Sequence, residues 1–202
     1  MKLFGTTTSP FVRRVRVVAA MLGVPVEGVD TRTEAGQAAM RAVNPTWKVP
    51  CAVLEDGTVL WDSRNIQAAL VARHGWWSLR PVRDPVLENN RIHLVDAALE
   101  AAISRFYLRA EGVDLDAVPY LRKQAERVAV CTDALEADMD GVFFRGNEAL
   151  GLAEIAWVCA LDWFRFREVV PVDARPVLRR FVEHWDAVPA FAETRPMVGT
   201  LS

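Results

Sequence analysis

The sequence predicts a small α/β domain followed by an all-helical domain. Three observations carry this: strand-like and helix-like segments alternate through about residue 75, a proline-bearing stretch follows, and beyond residue 85 strand signals vanish while helical periodicity continues. Lys2–Gly5 opens as a short strand. Ser9 then stands as an N-cap with Pro10 at the favoured first helical position, and Val12, Val15, Ala19 and Leu22 follow at spacings of 3, 4 and 3 until Gly23 ends the helix. Val24–Asp30 alternates like a second strand, and Glu34–Val43 forms a short helix stopped by Asn44-Pro45. Val49–Leu54, the turn Glu55-Asp56-Gly57 and Thr58–Trp61 read as a hairpin. Asp62-Ser63 offers a further N-cap, and Asn65–Ala72 continues as a helix to His74-Gly75.

The expected organisation is a domain over 1–75, a linker over 76–85 carrying Pro81 and Pro85, and a helical domain over 86–202. Its helices are predicted at Leu87–Glu111, with Ile92, Val95, Leu99, Ile103 and Phe106 on one face, then Val118–Met139, Leu152–Arg167 and Val177–Val188. The seven tryptophans read mostly as packing.

Composition narrows the function classes. With 202 residues, 51% hydrophobic and 25% charged, the chain can bury a core without disulfides or a structural metal. Cys51, Cys131 and Cys159 form no C-x-x-C pair, which excludes a zinc ribbon and a dithiol centre of neighbouring cysteines and points to a reducing compartment. His74, His93 and His184 are far apart, so no metal site is expected. No apolar run approaches the ~18 residues of a membrane span, and the first residues lack a signal core, so a cytoplasmic protein is expected. A net charge of −2 argues against nucleic acid as a partner. Residues 1–80 carry +4 and residues 81–202 carry −6, making the first part the better host for an anionic ligand.

Thr8-Ser9-Pro10-Phe11-Val12-Arg13-Arg14-Val15-Arg16, Asn44-Pro45 leading into Lys48-Val49-Pro50, and Asp62-Ser63 with Ile66 occur in this order. With Gly146–Ile155 and the ending Trp185, Pro189-Ala190-Phe191 and Arg195-Pro196, the pattern resembles the glutathione S-transferase family, most of all bacterial members with serine at the active-site position. The resemblance implies a thioredoxin-like first domain, an all-helical second domain, a homodimer built on the two long helices, and glutathione as co-substrate for a small hydrophobic electrophile.

On this reading Ser9 is a hydrogen-bond donor that, with the N–H groups at the helix start, favours the glutathione thiolate, the free thiol having a pKa near ~8.5. Simple N-capping is the alternative role for Ser9, and Thr7 and Thr8 could occupy the same space. The resemblance implies a cis Val49-Pro50 peptide that turns the Val49 peptide groups toward the cysteinyl main chain of glutathione. Ser63 suits the γ-glutamyl carboxylate and Asp62 the ammonium, although capping alone also fits them. Lys48 and Arg32 are the candidates for the glycyl carboxylate. Arg13, Arg14 and Arg16 oppose the helix dipole; an anionic ligand could offset them, but surface pairing with the acidic helical domain is preferred for at least two. A second-substrate pocket is expected between the domains, lined by Phe11 and by the helix near Arg105, Phe106 and Tyr107.

The chain departs from the family pattern in three places. Trp47 replaces a small residue, often glycine, before Lys-Val-Pro. Cys51, after Pro50, reads as a small buried strand residue. Gly151 and Glu154 occupy the capping-box positions, so only half of that box survives. The competing functions are a glutathione-dependent reductase or peroxidase, which needs a cysteine where Ser9 stands, and a non-catalytic glutathione-binding or assembly module.

Overall fold

The computed structural model describes residues 1–199 and 201. They form two compact units, Met1–Pro81 with the chain from Trp185 onward, and Val82–His184. The expected boundaries followed chain order; by packing, the segment after residue 184 returns to the first unit.

In the first unit, β1 (Lys2–Gly5), β2 (Glu27–Asp30), β3 (Cys51–Val53) and β4 (Val59–Trp61) make one sheet in the order β2-β1-β3-β4. The β1–β2 pair is parallel, and β1–β3 and β3–β4 are antiparallel. The helices are α1 (Pro10–Met21), α2 (Glu34–Val43) and α3 (Ser63–His74). β2 starts later than expected, at Glu27, because Val24 turns back to bond the Ala19 carbonyl at the end of α1. Val12, Val15, Leu3, Ala52 and Ile66 are fully buried, so the 3-4-3 spacing in α1 presents its apolar face to the sheet and to α3.

Gln67, 1% exposed, donates from Nε2 to the Arg14 carbonyl at 3.2 Å and ties α3 to α1. Arg13 and Arg14 are buried, which corrects the expectation that they lie at the surface. Arg13 donates to the Phe191 carbonyl at 3.1 Å and to Thr194 Oγ1 at 3.4 Å, binding α1 to the short helix Pro189–Ala192. Arg14 lies 4.8 Å from the Phe11 ring centroid. Arg16 is partly buried, and desolvation, then the charge of Arg13, lowers its pKa.

The second unit is built on α4 (Pro85–Ala110), α5 (Pro119–Ala137) and α6 (Leu152–Phe166), followed by a 3-10 turn at Val172–Ala174 and α7 (Pro176–Asp186). Two-residue strands, β5 (Met139–Asp140) and β6 (Phe143–Phe144), add a small ribbon that the sequence did not signal. α6 is buried without a break from Ala153 to Phe164, as a central helix must be.

Its N-terminus shows how the incomplete capping box is compensated. Gly151 supplies no side-chain acceptor, and Glu154 Oε2 accepts from Gly151 N at 3.0 Å, which is the surviving half. The missing acceptor comes from 65 residues away in the chain: Glu88 of α4 accepts from Ala153 N at 3.0 Å. Both carboxylates are buried, Glu88 at 4% and Glu154 at 0% exposure. They also place negative charge at the positive end of the helix dipole.

Candidate functional site

Strand register defines the site. Gly5 lies opposite Asp30, Phe4 opposite Cys51, and Cys51 opposite Trp61. β1 and β2 therefore end, β3 begins and β4 ends at one level of the sheet. The segments just past that level are Thr6–Ser9, Thr31–Arg32, Val49–Pro50 and Asp62–Ser63, so Ser9, Arg32, Val49, Asp62 and Ser63 share one sheet edge or its flank.

Ser9 is the N-cap of α1, and its Oγ accepts from Val12 N at 3.3 Å. That bond uses a lone pair and leaves the hydroxyl hydrogen free to donate. The helix end itself is sparing with donors. Pro10 has no N–H, Val12 N is capped, and Arg13 N bonds the Ser9 carbonyl, which leaves Phe11 N–H as the unfilled donor of the first turn among the described residues. Thr7 is 6% exposed and donates toward the carbonyls of Met197 at 2.6 Å and Gly199 at 3.0 Å, so its hydroxyl is committed to the C-terminal segment. Thr8 pairs with Thr6, Oγ1 to Oγ1, at 3.3 Å.

The Val49-Pro50 peptide is cis. The loop before it is organised by Asn44, 1% exposed, a role that sequence reasoning missed. Asn44 Oδ1 accepts from Thr46 N at 2.9 Å and Thr46 Oγ1 at 2.7 Å, while Nδ2 donates to the Lys48 carbonyl at 2.7 Å. The Asn44-Pro45-Thr46 run carries the signal for this, an Asx turn, although it reads first as a helix stop. Trp47 adopts φ 56°, the conformation that a glycine would take without strain, and its ring lies 4.5 Å from the Arg41 guanidinium carbon. The peptide groups of Val49 have no hydrogen-bond partner among the described residues. Lys48 is exposed and makes no ion pair there.

Asp62 caps α3, its Oδ1 accepting from Arg64 N at 2.8 Å. Its backbone sits at φ 69°, ψ 133°, an unfavourable region for a residue with a Cβ, at a cost of roughly 1–3 kcal/mol. Ser63, 3% exposed, heads α3, and its hydroxyl has no partner among the described residues. Arg32 behaves differently. Its Nε reaches Asp30 Oδ1 at 3.0 Å, one terminal nitrogen reaches Asp30 Oδ2 at 2.5 Å, and the same nitrogen donates to the Gly199 carbonyl. The Arg32 hydrogen bonds hold the Asp30 carboxyl below the usual range. Of the two cations expected near one carboxylate, Lys48 is uncommitted and Arg32 is engaged. Cys51 is fully buried, and desolvation pushes its thiol up to about 11.

Comparison with known proteins gives two family matches: the glutathione S-transferase N-terminal domain over residues 3–79 and the glutathione S-transferase C-terminal domain over residues 90–189. The chain is 31% identical to the uncharacterized GST-like protein YibF of Escherichia coli K12, over 97% of this chain and 98% of that protein. It is similar to the crystal structure of a glutathione S-transferase from Methylobacillus flagellatus KT with GSH bound, at 25% identity and a TM-score of 0.83, covering 97% of this chain and 99% of the other. A glutathione S-transferase from Methylobacterium radiotolerans in complex with glutathione sulfonate matches at 25% identity and a TM-score of 0.83, over 100% and 97% of the two chains.

Proposed function

The chain belongs to the glutathione S-transferase family, and from that premise we propose that it binds glutathione along the sheet edge of the first unit and adds the thiolate to a small hydrophobic electrophile. The observation that carries the proposal is the shared strand level that brings Ser9, Val49, Asp62 and Ser63 to one edge. The Val49 N–H and C=O pair with the cysteinyl main chain as an added strand. The Ser63 hydroxyl receives the γ-glutamyl carboxylate, the open Asp62 oxygen faces the ammonium, and Lys48 serves the glycyl carboxylate. The Ser9 hydroxyl and the Phe11 N–H donate to the sulfur, so the thiol proton leaves to solvent more readily. The thiolate then forms the C–S bond as the electrophile's leaving group departs.

The reductase or peroxidase reading lacks a nucleophile, since Cys51 is buried with a raised pKa, as is Cys131. A cytoplasmic setting agrees with three free, buried cysteines. No helix among the described residues is long and apolar enough to cross a membrane.

Calorimetry tests the ligand assignment. Asp62→Asn retains the cap on α3 and removes the charge, and it is expected to weaken glutathione binding by about 1–3 kcal/mol, the value of a hydrogen bond to a charged group. Unchanged affinity would remove Asp62 from the site. Glutathione binding with no turnover of an aryl halide would favour the binding-module reading.

We also propose a homodimer through α4 and α5. Val86, Leu87, Tyr120 and Val130 on these helices are 43–70% exposed, an apolar surface that two-fold pairing would cover. Sedimentation at micromolar concentration is expected to give twice the 22.5 kDa chain mass; a mass near the monomer would contradict it.

A further inference from the structure

The second unit holds a cavity of about 180 Å³ whose lining combines guanidinium groups with apolar side chains. Arg105 and Arg109, one helical turn apart on α4, and Arg167, at the end of α6, supply three guanidinium groups. Phe106, Val128 and small side chains supply the apolar wall. None of the three arginines forms an ion pair among the described residues. Arg105 donates to the Leu121 carbonyl.

Arg167 is the most telling of the three. Its guanidinium carbon lies 4.6 Å from the ring centroids of both Phe106 and Phe166, and its Nε is buried with no hydrogen-bond partner. The two aromatic rings attract the cation, and the buried Nε is left to be met by something else. The one carboxylate on the lining is Glu168, which opposes an anion. Glu168 sits at φ 54°, where a glycine would be at ease, in the turn that ends α6. That turn closes with Val169 N bonding the Phe164 carbonyl at 2.9 Å and brings both residues to the cavity.

We propose that this cavity is a binding site for a small organic anion, a carboxylate on a body about the size of one aromatic ring. An apolar cavity of ~150 Å³ accepts benzene, so this volume accommodates a ring with its head group. The carboxylate bridges the guanidinium groups, with Arg167 as the central donor, and the ring lies against Phe106 and Val128. The lining lies within the second unit and includes Arg105 and Phe106, the residues expected beside the second substrate, so this site bears on the electrophile side of the proposed function and not on the glutathione contacts.

Calorimetry with benzoate, benzyl alcohol and inorganic phosphate tests it on the full chain without glutathione. Benzoate is expected to bind at one site per chain, more weakly at high salt, and benzyl alcohol and phosphate at least about tenfold more weakly. Arg167→Gln is expected to weaken benzoate by about 10–100-fold, as for a lost hydrogen bond to an ion. Arg109→Gln and Glu168→Gln change exposed side chains and keep the fold; the first should weaken benzoate and the second strengthen it. No benzoate binding to the wild-type chain overturns the proposal, as does binding that neither Arg109→Gln nor Glu168→Gln alters. Equal affinity for benzyl alcohol overturns the anion, and equal affinity for phosphate overturns the organic body. Glutathione binding without benzoate binding removes this site and leaves the functional reading intact, and the reverse pattern does the opposite.

Discussion

Replacing Glu154 with alanine is expected to lower the unfolding free energy by about 3–5 kcal/mol, a large share of the ~5–15 kcal/mol typical of a native protein. The buried carboxylate accepts from Phe144 N at 3.2 Å, Asn147 Nδ2 at 2.6 Å and Gly151 N at 3.0 Å. Alanine leaves these donors unmet where water is largely excluded. It also removes the negative charge from the start of the central helix and unties the β5–β6 ribbon from it. Urea unfolding checks this through the midpoint at an unchanged slope. Glu88→Ala removes the acceptor for Ala153 N and is expected to cost about 0.5–2 kcal/mol, the range for a lost N-cap. Gly151 has extended backbone, φ −119° and ψ −177°, which a serine adopts readily. Gly151→Ser should therefore recover part of the Glu88→Ala loss, a coupling that a double-mutant cycle isolates. Full additivity would show that the two residues do not serve the same helix end.

Ser9→Ala is expected to reduce turnover of an aryl halide by about 10–100-fold, corresponding to ~1.5–3 kcal/mol for a hydrogen bond to an ion. Glutathione affinity should stay within about tenfold, because the Val49, Asp62 and Ser63 contacts remain. Loss of the cap costs only ~1 kcal/mol of stability, so the rate effect is not a folding effect. Ser9→Asp separates the two roles. It retains an acceptor for Val12 N but has no donor and places a negative charge beside the thiolate, so it should keep stability and lower the rate further. Thr8→Ala is expected to change little. A rate lost with Thr8→Ala and kept with Ser9→Ala would move the assignment by one residue.

What was legible in the sequence was local. Ser9 and Pro10 announce the start of α1, Asn44-Pro45 the end of α2, and Asp62-Ser63 the start of α3, because caps and breakers act within one turn of chain. The order of strands and helices follows from periodicity for the same reason. The cis Val49-Pro50 peptide came only through family resemblance, since spacing carries no sign of it. Most of what the sequence did not show is long-range. Glu88 caps a helix 65 residues away, Arg13 reaches Phe191, and Thr7 and Arg32 bond the Gly199 carbonyl. Each is a single polar contact between distant positions, and no periodic pattern records such a pair. Burial of Arg13 and Arg14 was missed because an arginine in an amphipathic pattern reads as surface, whereas here Arg13 donates to a carbonyl and a hydroxyl and Arg14 lies beside an aromatic ring.

The central claim is that the Ser9 end of α1 stabilises a thiolate. Ultraviolet absorbance of the thiolate, titrated against pH with glutathione bound, tests it most directly. The apparent thiol pKa in the wild-type complex is expected below the ~8.5 of a free thiol by about one unit or more, returning toward the free value in Ser9→Ala. A bound thiol that titrates like free glutathione in the wild-type protein would contradict it.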